Sequence, residues 1–194
     1  MVKVGLTGGI GSGKTTVCEL FMSLGIPVFF SDEASKSILN NNTEVKKELK
    51  ALFGPAIYNN SGVLDRKILA GIVFARPEAL YKLNHIVHPL VRTAFLDWVE
   101  KQKSPYIIKE AAILIESGAY KDVDAIVSVY APEFLRIQRV MERDDVHKEA
   151  VEARMKRQMP ENEKLNCSDY ILYNDDVQLL LPQVLKLHKT FLPH

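Results

Sequence analysis

The sequence has few of the features that assign a chain to a specialised class. Among 194 residues there are two cysteines and one tryptophan, the net charge is +1, and no apolar run reaches the roughly 20 residues that cross a bilayer. Cys18 and Cys167 lie far apart with no Cys/His cluster, which excludes a zinc site. We expect two reduced, buried thiols in a cytoplasmic protein that binds neither nucleic acid nor a membrane.

The composition is that of a folded domain. Hydrophobic residues make up 47% and charged residues 25% of the chain, which excludes a disordered or low-complexity protein. A chain of 194 residues is long enough to bury a sizeable core, and it contains no repeat and no linker. We therefore expect one domain over residues 1–194.

Short apolar segments alternate with helical patterns at both ends of the chain. Residues 2–7 form an apolar run that predicts a buried strand, and a helical pattern follows from Lys14 until Gly25 ends it. Further strands are predicted at residues 27–30, 106–108, 125–130 and 170–173, and a C-terminal helix carries Leu180, Val184 and Leu187. Strand, glycine loop, helix and strand in this order predict an α/β fold with five parallel strands.

The segment between the second and third strands is helical. Its apolar stripes follow helical spacing, and Asp65 is a candidate N-cap. Pro77 and Pro89 each stand where a first helical turn would begin, so two separate helices are expected there. Residues 33–103 therefore predict a helical insertion, and the Arg-rich residues 133–158 predict a second helical excursion.

A glycine-rich motif follows the first strand. Residues 8–15 read GGIGSGKT, which fits the Walker A pattern of a P-loop. Lys14 would contact the β- and γ-phosphates of a nucleotide, and the Thr15 hydroxyl would ligate Mg²⁺. A simple glycine-rich turn is the alternative, but the strand before and the amphipathic helix after are the context that the motif requires. The residues expected to bind ATP here are Gly9, Gly11, Ser12, Gly13, Lys14, Thr15 and Thr16.

Motifs of other nucleotide-binding classes are missing. The sequence has neither the Asn/Thr-Lys-x-Asp nor the Asp-x-x-Gly string of a GTP-binding switch, and it lacks the His-Arg-Asp and Asp-Phe-Gly strings of protein kinases. Its length leaves no room for the extra modules of a motor or transporter ATPase. We therefore expect a small-molecule kinase.

Two groups of charged residues are candidates for the chemistry. Asp32 follows the second strand at the carboxyl edge of the sheet, and it is either the acceptor of a hydroxyl proton or, equally well, an N-cap. Arg136, Arg139 and Arg143 share one face of a predicted helix. They belong either to a lid that offsets charge on the transferred phosphoryl group or, equally well, to a solvated face paired with neighbouring carboxylates.

Three further polar residues are candidates for a role in the site, but a structural role also explains the presence of each. Glu110 follows the third strand, where a Walker-B-like carboxylate would reach Mg²⁺ through water, and Glu116 lies six residues later. Each is explained as well by a surface position. His88 precedes Pro89, and a capping or core role explains it better than catalysis does.

Motifs along nearly the whole chain resemble those of the dephospho-coenzyme A kinase family. They are LTGGIGSGKTT, LGIPVFFSDEASK, HPLVR, AILIESG, RIQRVMERDDVHKEAVEARMKRQ and CSDYILYND, in the family's order. The resemblance implies a transferase that acts at the last step of coenzyme A biosynthesis. ATP would phosphorylate the ribose 3′-hydroxyl of dephospho-coenzyme A, giving coenzyme A and ADP.

The resemblance also implies roles for individual residues. Asp32 matches the family's general base at the acceptor hydroxyl, and Arg139 and Arg143 match its lid arginines. Asn174 falls in the loop that borders the adenine of ATP. Lys14 and Thr15 match the phosphate and Mg²⁺ residues. The acceptor-binding residues implied in this way are Asp32, Lys36, His88 and Glu116.

A division of the domain follows from the same resemblance. The nucleotide-binding core would comprise residues 1–32, 104–132 and 168–194 within a P-loop NTPase fold of three layers. Residues 33–103 would bind the acceptor, and residues 133–160 would form the lid. The expected ligands are ATP, Mg²⁺ and dephospho-coenzyme A, and the chain is expected to be a monomer or a weak homo-oligomer.

Three positions depart from the family's pattern. The family usually has Asp-x-Asp where this chain has Phe30-Ser31-Asp32, it has Arg where Lys36 stands, and it has Pro-Leu-Leu at residues 112–114, which read Ala-Ile-Leu. An ammonium at Lys36 weakens any bidentate phosphate contact at that position. None of these positions lies in the phosphate loop, so the departures affect the prediction of how the acceptor is bound more than the prediction of the reaction.

Two other functions are compatible with these residues. One is a kinase for a nucleoside monophosphate or a small hydroxy acid, which would share the P-loop and lid and differ only in its acceptor. The other is a non-catalytic nucleotide-binding module that hydrolyses ATP slowly. Asp32 and the lid arginines argue against the second, and a phosphorylated product would exclude it.

Overall fold

A computed structural model describes residues 1–193 of the chain. It contains a parallel sheet of five strands in the order β2-β3-β1-β4-β5. The strands are β1 (Val2–Thr7), β2 (Val28–Phe30), β3 (Tyr106–Glu110), β4 (Ala125–Tyr130) and β5 (Tyr170–Tyr173). The predicted α/β class with five parallel strands is confirmed. Strand β3 continues two residues past its predicted end because Lys109 and Glu110 pair with β1.

The chain divides into two compact units. The first, here called the sheet unit, contains Met1–Phe30 and the chain from Lys101 onward, and the second, the helical unit, is Ser31–Glu100. The helices of the described chain are α1 (Lys14–Ser23), α2 (Ser31–Asn41), α3 (Thr43–Phe53), α4 (Arg66–Ala75), α5 (Pro77–Val99), α6 (Glu133–Asp144), α7 (Lys148–Met155), α8 (Glu161–Asn166) and α9 (Leu180–Phe191). All five strands belong to the sheet unit, and α2 to α5 form the helical unit.

The core of the sheet unit joins the strands to α1 and α9. Buried Val4 and Leu6 of β1 pack in one cluster with Phe21 of α1 and Val184 of α9. Parallel strands covered by helices are apolar along most of their length, which is why β1 could be recognised from the sequence. This packing holds β1 rigidly up to Thr7, where the glycine-rich loop begins.

The two cysteines differ in exposure, so one part of the sequence prediction is wrong. Both thiols are free, but only Cys18 is buried, whereas Cys167 is exposed. Cys18 lies on the inward face of α1, in the sheet core. Cys167 directly follows the short helix α8, where no apolar periodicity brings it into the core. Burial raises the pKa of the Cys18 thiol to about 12, so this thiol stays protonated at neutral pH.

The helical unit has its own apolar core. Leu49 of α3, Leu69 and Val73 of α4 and Val87 of α5 are buried together. The predicted N-cap is confirmed, since the Asp65 carboxylate accepts the Lys67 and Ile68 N–H groups at 3.0 Å.

The prediction of two helices starting at Pro77 and Pro89 is wrong for the second proline. Pro77 does begin a helix, but α5 runs without interruption for 23 residues and contains Pro89 in its interior. A proline removes one backbone hydrogen bond, here the one to the carbonyl of His85. Pro89 and His85 are both exposed, so water can satisfy that carbonyl.

The predicted Arg-rich helical excursion consists mainly of two helices. Helix α6 ends at Asp144, and α7 begins at Lys148. Between them Asp145 has a φ of 51°, a left-handed conformation that ends a helix. Aspartate is one of the few residues other than glycine that adopts it readily. Within residues 1–193, no helix is both long and apolar enough to cross a membrane.

Candidate active site

The glycine-rich loop connects β1 to α1 in a conformation that favours glycine. Gly11 and Gly13 have φ values of 79° and 93°, in the left-handed region. At Gly8, a Cβ atom would lie 2.5 Å from the Val129 carbonyl oxygen, so the loop also passes too close to β4 for a side chain. The Ser12 N–H donates to the Gly9 carbonyl at 3.1 Å, which closes the turn. Such a turn aims successive N–H groups at one centre and forms an anion-binding nest.

Lys14 lies over this loop. Its Nζ donates to the carbonyls of Gly8 at 2.9 Å and Gly9 at 3.2 Å, so the ammonium is held beside the nest at the first residue of α1. The positive end of α1 adds to the attraction for an anion. The loop and the lysine therefore have the geometry of a phosphate-binding site.

The hydroxyl side chains of the motif have different environments. Ser12 is fully buried, and its Oγ has no hydrogen-bond partner. An unpaired buried hydroxyl is costly, and a phosphate oxygen in the nest would provide the missing partner. Thr15 and Thr16 are exposed in the first turn of α1, where their hydroxyls are accessible to a ligand.

Asn174 lies directly after β5 and contacts the phosphate loop. Its Nδ2 donates to the Ser12 carbonyl at 2.8 Å, and a Cβ on Gly13 would overlap the Asn174 amide. The Asn174 N–H donates to the Tyr130 carbonyl at 2.8 Å, which fixes the residue to the end of β4. Asn174 therefore braces the loop, in addition to any contact with the adenine that the resemblance implies.

The three arginines predicted on one helical face have three different environments. Arg136 is 5% exposed and packs against the phosphate loop. Arg139 donates to the Asn174 carbonyl at 3.0 Å and to Asp176 at 2.6 Å. The Arg143 side chain is 61% exposed and donates to Asp144 at 2.8 Å. Hydrogen bonding to Asp144 holds the pKa of Arg143 above its ordinary value, so the guanidinium is permanently charged.

Two contacts hold Ile10, at the tip of the phosphate loop, to this helical excursion. The Ile10 N–H donates to Gln158 Oε1 at 2.8 Å, and Arg136 Nε donates to the Ile10 carbonyl at 3.1 Å. The Arg136 guanidinium also pairs with Glu161. Gln158 carries no sequence motif, and Arg136 was predicted only as a lid residue. The glycines at positions 9 and 11 were the one available signal, because Gly9 leaves space for the Arg136 side chain and Gly11 leaves space for the Arg136 backbone.

The residues near the nest suit Mg²⁺ only when phosphate supplies most of its ligands. Glu110 ends β3, and its charge and that of Lys14 both act on the Cys18 thiol, so these two groups lie in one neighbourhood. The Thr15 hydroxyl and the Glu110 carboxylate are the hard oxygen donors that Mg²⁺ prefers. No group of three or more His, Cys, Asp or Glu residues within residues 1–193 forms a metal site by itself. These donors fit an ion that is bound through nucleotide phosphates and water.

Glu116 pairs with a fully buried lysine. Glu116 Oε1 accepts hydrogen bonds from Lys164 Nζ at 3.1 Å and from the Met159 N–H at 3.0 Å. Lys164 is 0% exposed and also donates to the Ala112 carbonyl at 3.0 Å. Burial by itself would raise the pKa of Glu116, but the hydrogen bonds from its own N–H, from Met159 and from Lys164 together lower it. The carboxylate is therefore charged at neutral pH and neutralises Lys164.

Substituting Glu116 by glutamine should destabilise the fold in a pH-dependent way. At pH 7 we expect a loss of about 3 kcal/mol in the free energy of unfolding, because a buried ammonium loses its counterion. The pKa of Glu116 is lowered in the folded state, so its contribution is present above the ordinary carboxylate pKa and is lost as the pH falls through the lower value. Urea unfolding at pH 7 and pH 3 should show the difference shrinking at pH 3. A pH-independent difference, or one matched by the exposed-residue control Glu163→Gln, would contradict this account.

The remaining predicted site residues belong to the helical unit. Helix α2 begins at Ser31, so Asp32 is its second residue and does not precede the helix as an N-cap would. Asp32 and Lys36 are both exposed and lie one turn apart on α2. His88 is half-buried in α5, and burial lowers its pKa, so the imidazole is neutral at pH 7.

Comparison with known proteins decides the family. The dephospho-CoA kinase family model, CoaE, matches residues 2–179. The chain belongs to the dephospho-CoA kinase family. A dephospho-CoA kinase of Bacteroides fragilis is 40% identical over 187 residues, which cover 96% of this chain and 91% of that protein. The chain therefore spans almost the full length of this member of the family.

Solved structures agree with this membership. A Thermus thermophilus protein of known crystal structure superposes with a TM-score of 0.89 at 36% identity, covering 100% of this chain and 98% of the other. A dephospho-CoA kinase from Campylobacter jejuni gives a TM-score of 0.71 at 29% identity, with 96% and 95% coverage. The predicted resemblance is thus confirmed for both sequence and fold, and the chain is a kinase of this family.

Proposed function

We propose that this protein transfers the γ-phosphoryl group of ATP to the ribose 3′-hydroxyl of dephospho-CoA. The observation that carries the proposal is the phosphate loop with Lys14 in a chain that belongs to the dephospho-CoA kinase family. As the acceptor oxygen bonds to the γ-phosphorus, the bond to the bridging oxygen breaks, and ADP leaves with that electron pair. The products are coenzyme A and ADP.

The phosphate loop would hold the triphosphate in place. The N–H groups of the loop, with the N-terminus of α1, bind its oxygens, and Ser12 Oγ gains the partner that it lacks. Lys14 would move from the Gly8 and Gly9 carbonyls to the β- and γ-phosphates. Mg²⁺, when bound to Thr15 and through water to Glu110, would neutralise part of the phosphate charge.

Helices α6 and α7, which form the lid, would supply cations to the transferred group. Arg139 and Arg143 are the candidates because each belongs to an ion pair with one exposed member. In the pair of Arg139 with Asp176 the carboxylate is exposed, and in the pair of Arg143 with Asp144 the guanidinium is exposed. Exposed ion pairs are weak, so exchanging Asp176 or Asp144 for phosphate costs little. A guanidinium fork matches the phosphoryl oxygens bidentately as charge develops on them.

The helical unit would bind the acceptor, with Asp32 as general base. The carboxylate of Asp32 would accept the proton of the 3′-hydroxyl, and Asp32 follows the last residue of β2 by two positions in the chain. Lys36 and His88 would contact the acceptor, whereas Glu116 already neutralises Lys164. We further propose that the protein works in the cytoplasm as a monomer or weak homo-oligomer.

An acceptor panel tests the proposal. We expect ADP release in the presence of ATP and Mg²⁺ only with dephospho-CoA, and not with AMP, CMP, UMP, shikimate or gluconate. Mass spectrometry should show one added phosphate on the product. Turnover confined to another acceptor would contradict the substrate but keep the phosphate loop. Slow ADP release with no phosphorylated acceptor would instead support a nucleotide-binding module.

A further inference from the structure

The peptide groups on both sides of Ile10 are held from outside the phosphate loop. The Ile10 N–H donates to Gln158 Oε1 at 2.8 Å, and its carbonyl accepts from Arg136 Nε at 3.1 Å. Arg136 lies in α6, and Gln158 follows the end of α7. Both ends of the lid therefore contact the same residue of the loop.

The loop needs such restraint because of its glycines. Gly9 and Gly11 flank Ile10, and glycine has more backbone freedom than any other residue. Without external contacts this part of the loop would sample several conformations, and ordering it for phosphate would cost entropy at each binding event. The contacts that fix the two peptide groups restrict the backbone of the loop before phosphate binds, so less entropy is lost on binding.

Arg136 is built into the loop as a structural part. Its guanidinium is so close to Gly9 that a Cβ there would lie 2.5 Å from Arg136 Cζ. It is 5% exposed, and it pairs with Glu161. One planar group thus bonds both to the Ile10 carbonyl and to a carboxylate, which a lysine ammonium cannot reproduce in the same geometry.

We propose that Gln158 and Arg136 are positioning residues that preorganise the phosphate loop through Ile10 and so set its affinity for nucleotide phosphates. The Ile10 N–H is bonded to Gln158 and the Ile10 carbonyl to Arg136, so both residues would act on the nucleotide through the loop. Their effect should fall on the phosphates, because Ile10 lies within the phosphate loop, between Gly9 and Gly11. This inference rests on the proposed function only in requiring that the loop binds nucleotide.

The first test compares ADP and adenosine as ligands of the full-length protein. Gln158→Met keeps the side-chain length but removes the acceptor for the Ile10 N–H. Calorimetry without Mg²⁺ should show the dissociation constant for ADP rising by about 3- to 10-fold, the scale of one lost hydrogen bond, with that for adenosine unchanged. Gln138→Met is the matched control, since Gln138 is exposed on the lid and bonds only within α6, to Glu142. It should leave both constants unchanged.

Arg136→Lys provides an independent second test. The lysine keeps a positive charge for Glu161, so the fold is retained, but it loses the fork that also bonds to Ile10. We expect the same selective loss of ADP affinity. The double variant Arg136→Met with Glu161→Gln removes both charges of the pair and should show the same selective loss of ADP affinity. If Arg136→Lys does not fold, the double variant and Gln158→Met still test the inference.

Each outcome has one meaning. Unchanged ADP affinity in Gln158→Met and in the Arg136 variants overturns the inference, and so does an equal loss for ADP and adenosine, which would indicate general destabilisation. The result does not depend on the acceptor, so a different acceptor in the enzymatic panel would overturn only the proposed substrate. A wild-type protein that binds ADP no better than adenosine would refute the nucleotide function and this inference with it.

Discussion

Substituting Lys14 by methionine is expected to abolish phosphoryl transfer, with kcat reduced by at least about 10³-fold. Lys14 is the cation beside the nest, and its Nζ donates to the Gly8 and Gly9 carbonyls. The charge that develops on the β- and γ-phosphate oxygens would then lose the cation that is held beside the nest. The measurement is single-turnover transfer from ATP to dephospho-CoA, together with thermal unfolding to show that the fold is intact.

The control for this substitution is Lys186→Met. Lys186 is an exposed lysine of α9 and should tolerate the same loss of charge without effect on kcat. Full activity of Lys14→Met would refute the assignment of the phosphate site. A parallel loss in the control would show that overall charge, rather than the position of Lys14, is responsible.

Substituting Asp32 by asparagine is expected to lower kcat by about 10²–10⁴-fold while ATP binding is nearly unchanged. Asparagine has the same shape but cannot accept the hydroxyl proton at neutral pH. The measurements are kcat with dephospho-CoA and the dissociation constant for ATP. Because the acceptor proton must still leave, the residual rate should rise with pH as hydroxide takes over that role.

Glu33→Gln is the matched control for Asp32. The two carboxylates are adjacent, exposed and both in the first turn of α2, so each substitution removes one charge from the same helix end. Only the loss at Asp32 should affect turnover. Equal losses in both variants would assign the effect to the helix dipole, and normal turnover of Asp32→Asn would remove the general base from the mechanism.

The strands and the phosphate loop could be predicted because their signals are local. Strand β1 is apolar at most of its positions because parallel strands are covered by helices, and the glycines at positions 11 and 13 are favoured by left-handed backbone. The N-cap at Asp65 is equally local, since it depends on donors two and three residues away. The sequence prediction was wrong at Pro89, where the preference of proline for a first helical turn competes with continuation of the helix.

The contacts that hold the loop could not be predicted in the same way. Gln158 meets Ile10 across 148 positions of the chain, and Asn174 meets Ser12 across 162. No periodicity or composition signal links residues so far apart. Glu116 was expected to contact the acceptor, and its pairing with buried Lys164 depends on a helix that follows 45 residues later.

The sequence by itself thus determined the class of the protein: an α/β kinase with a phosphate loop, in a recognisable family. These properties depend on short motifs whose chemistry is complete within a few residues. Only the tertiary structure decided which arginine lies against the loop, which one is exposed, and how the Ile10 peptide groups are held. The spacing of these arginines in the sequence does not distinguish one from another. They differ in the folded protein because each has its own burial and its own distant partners, which set the free energy needed to displace it.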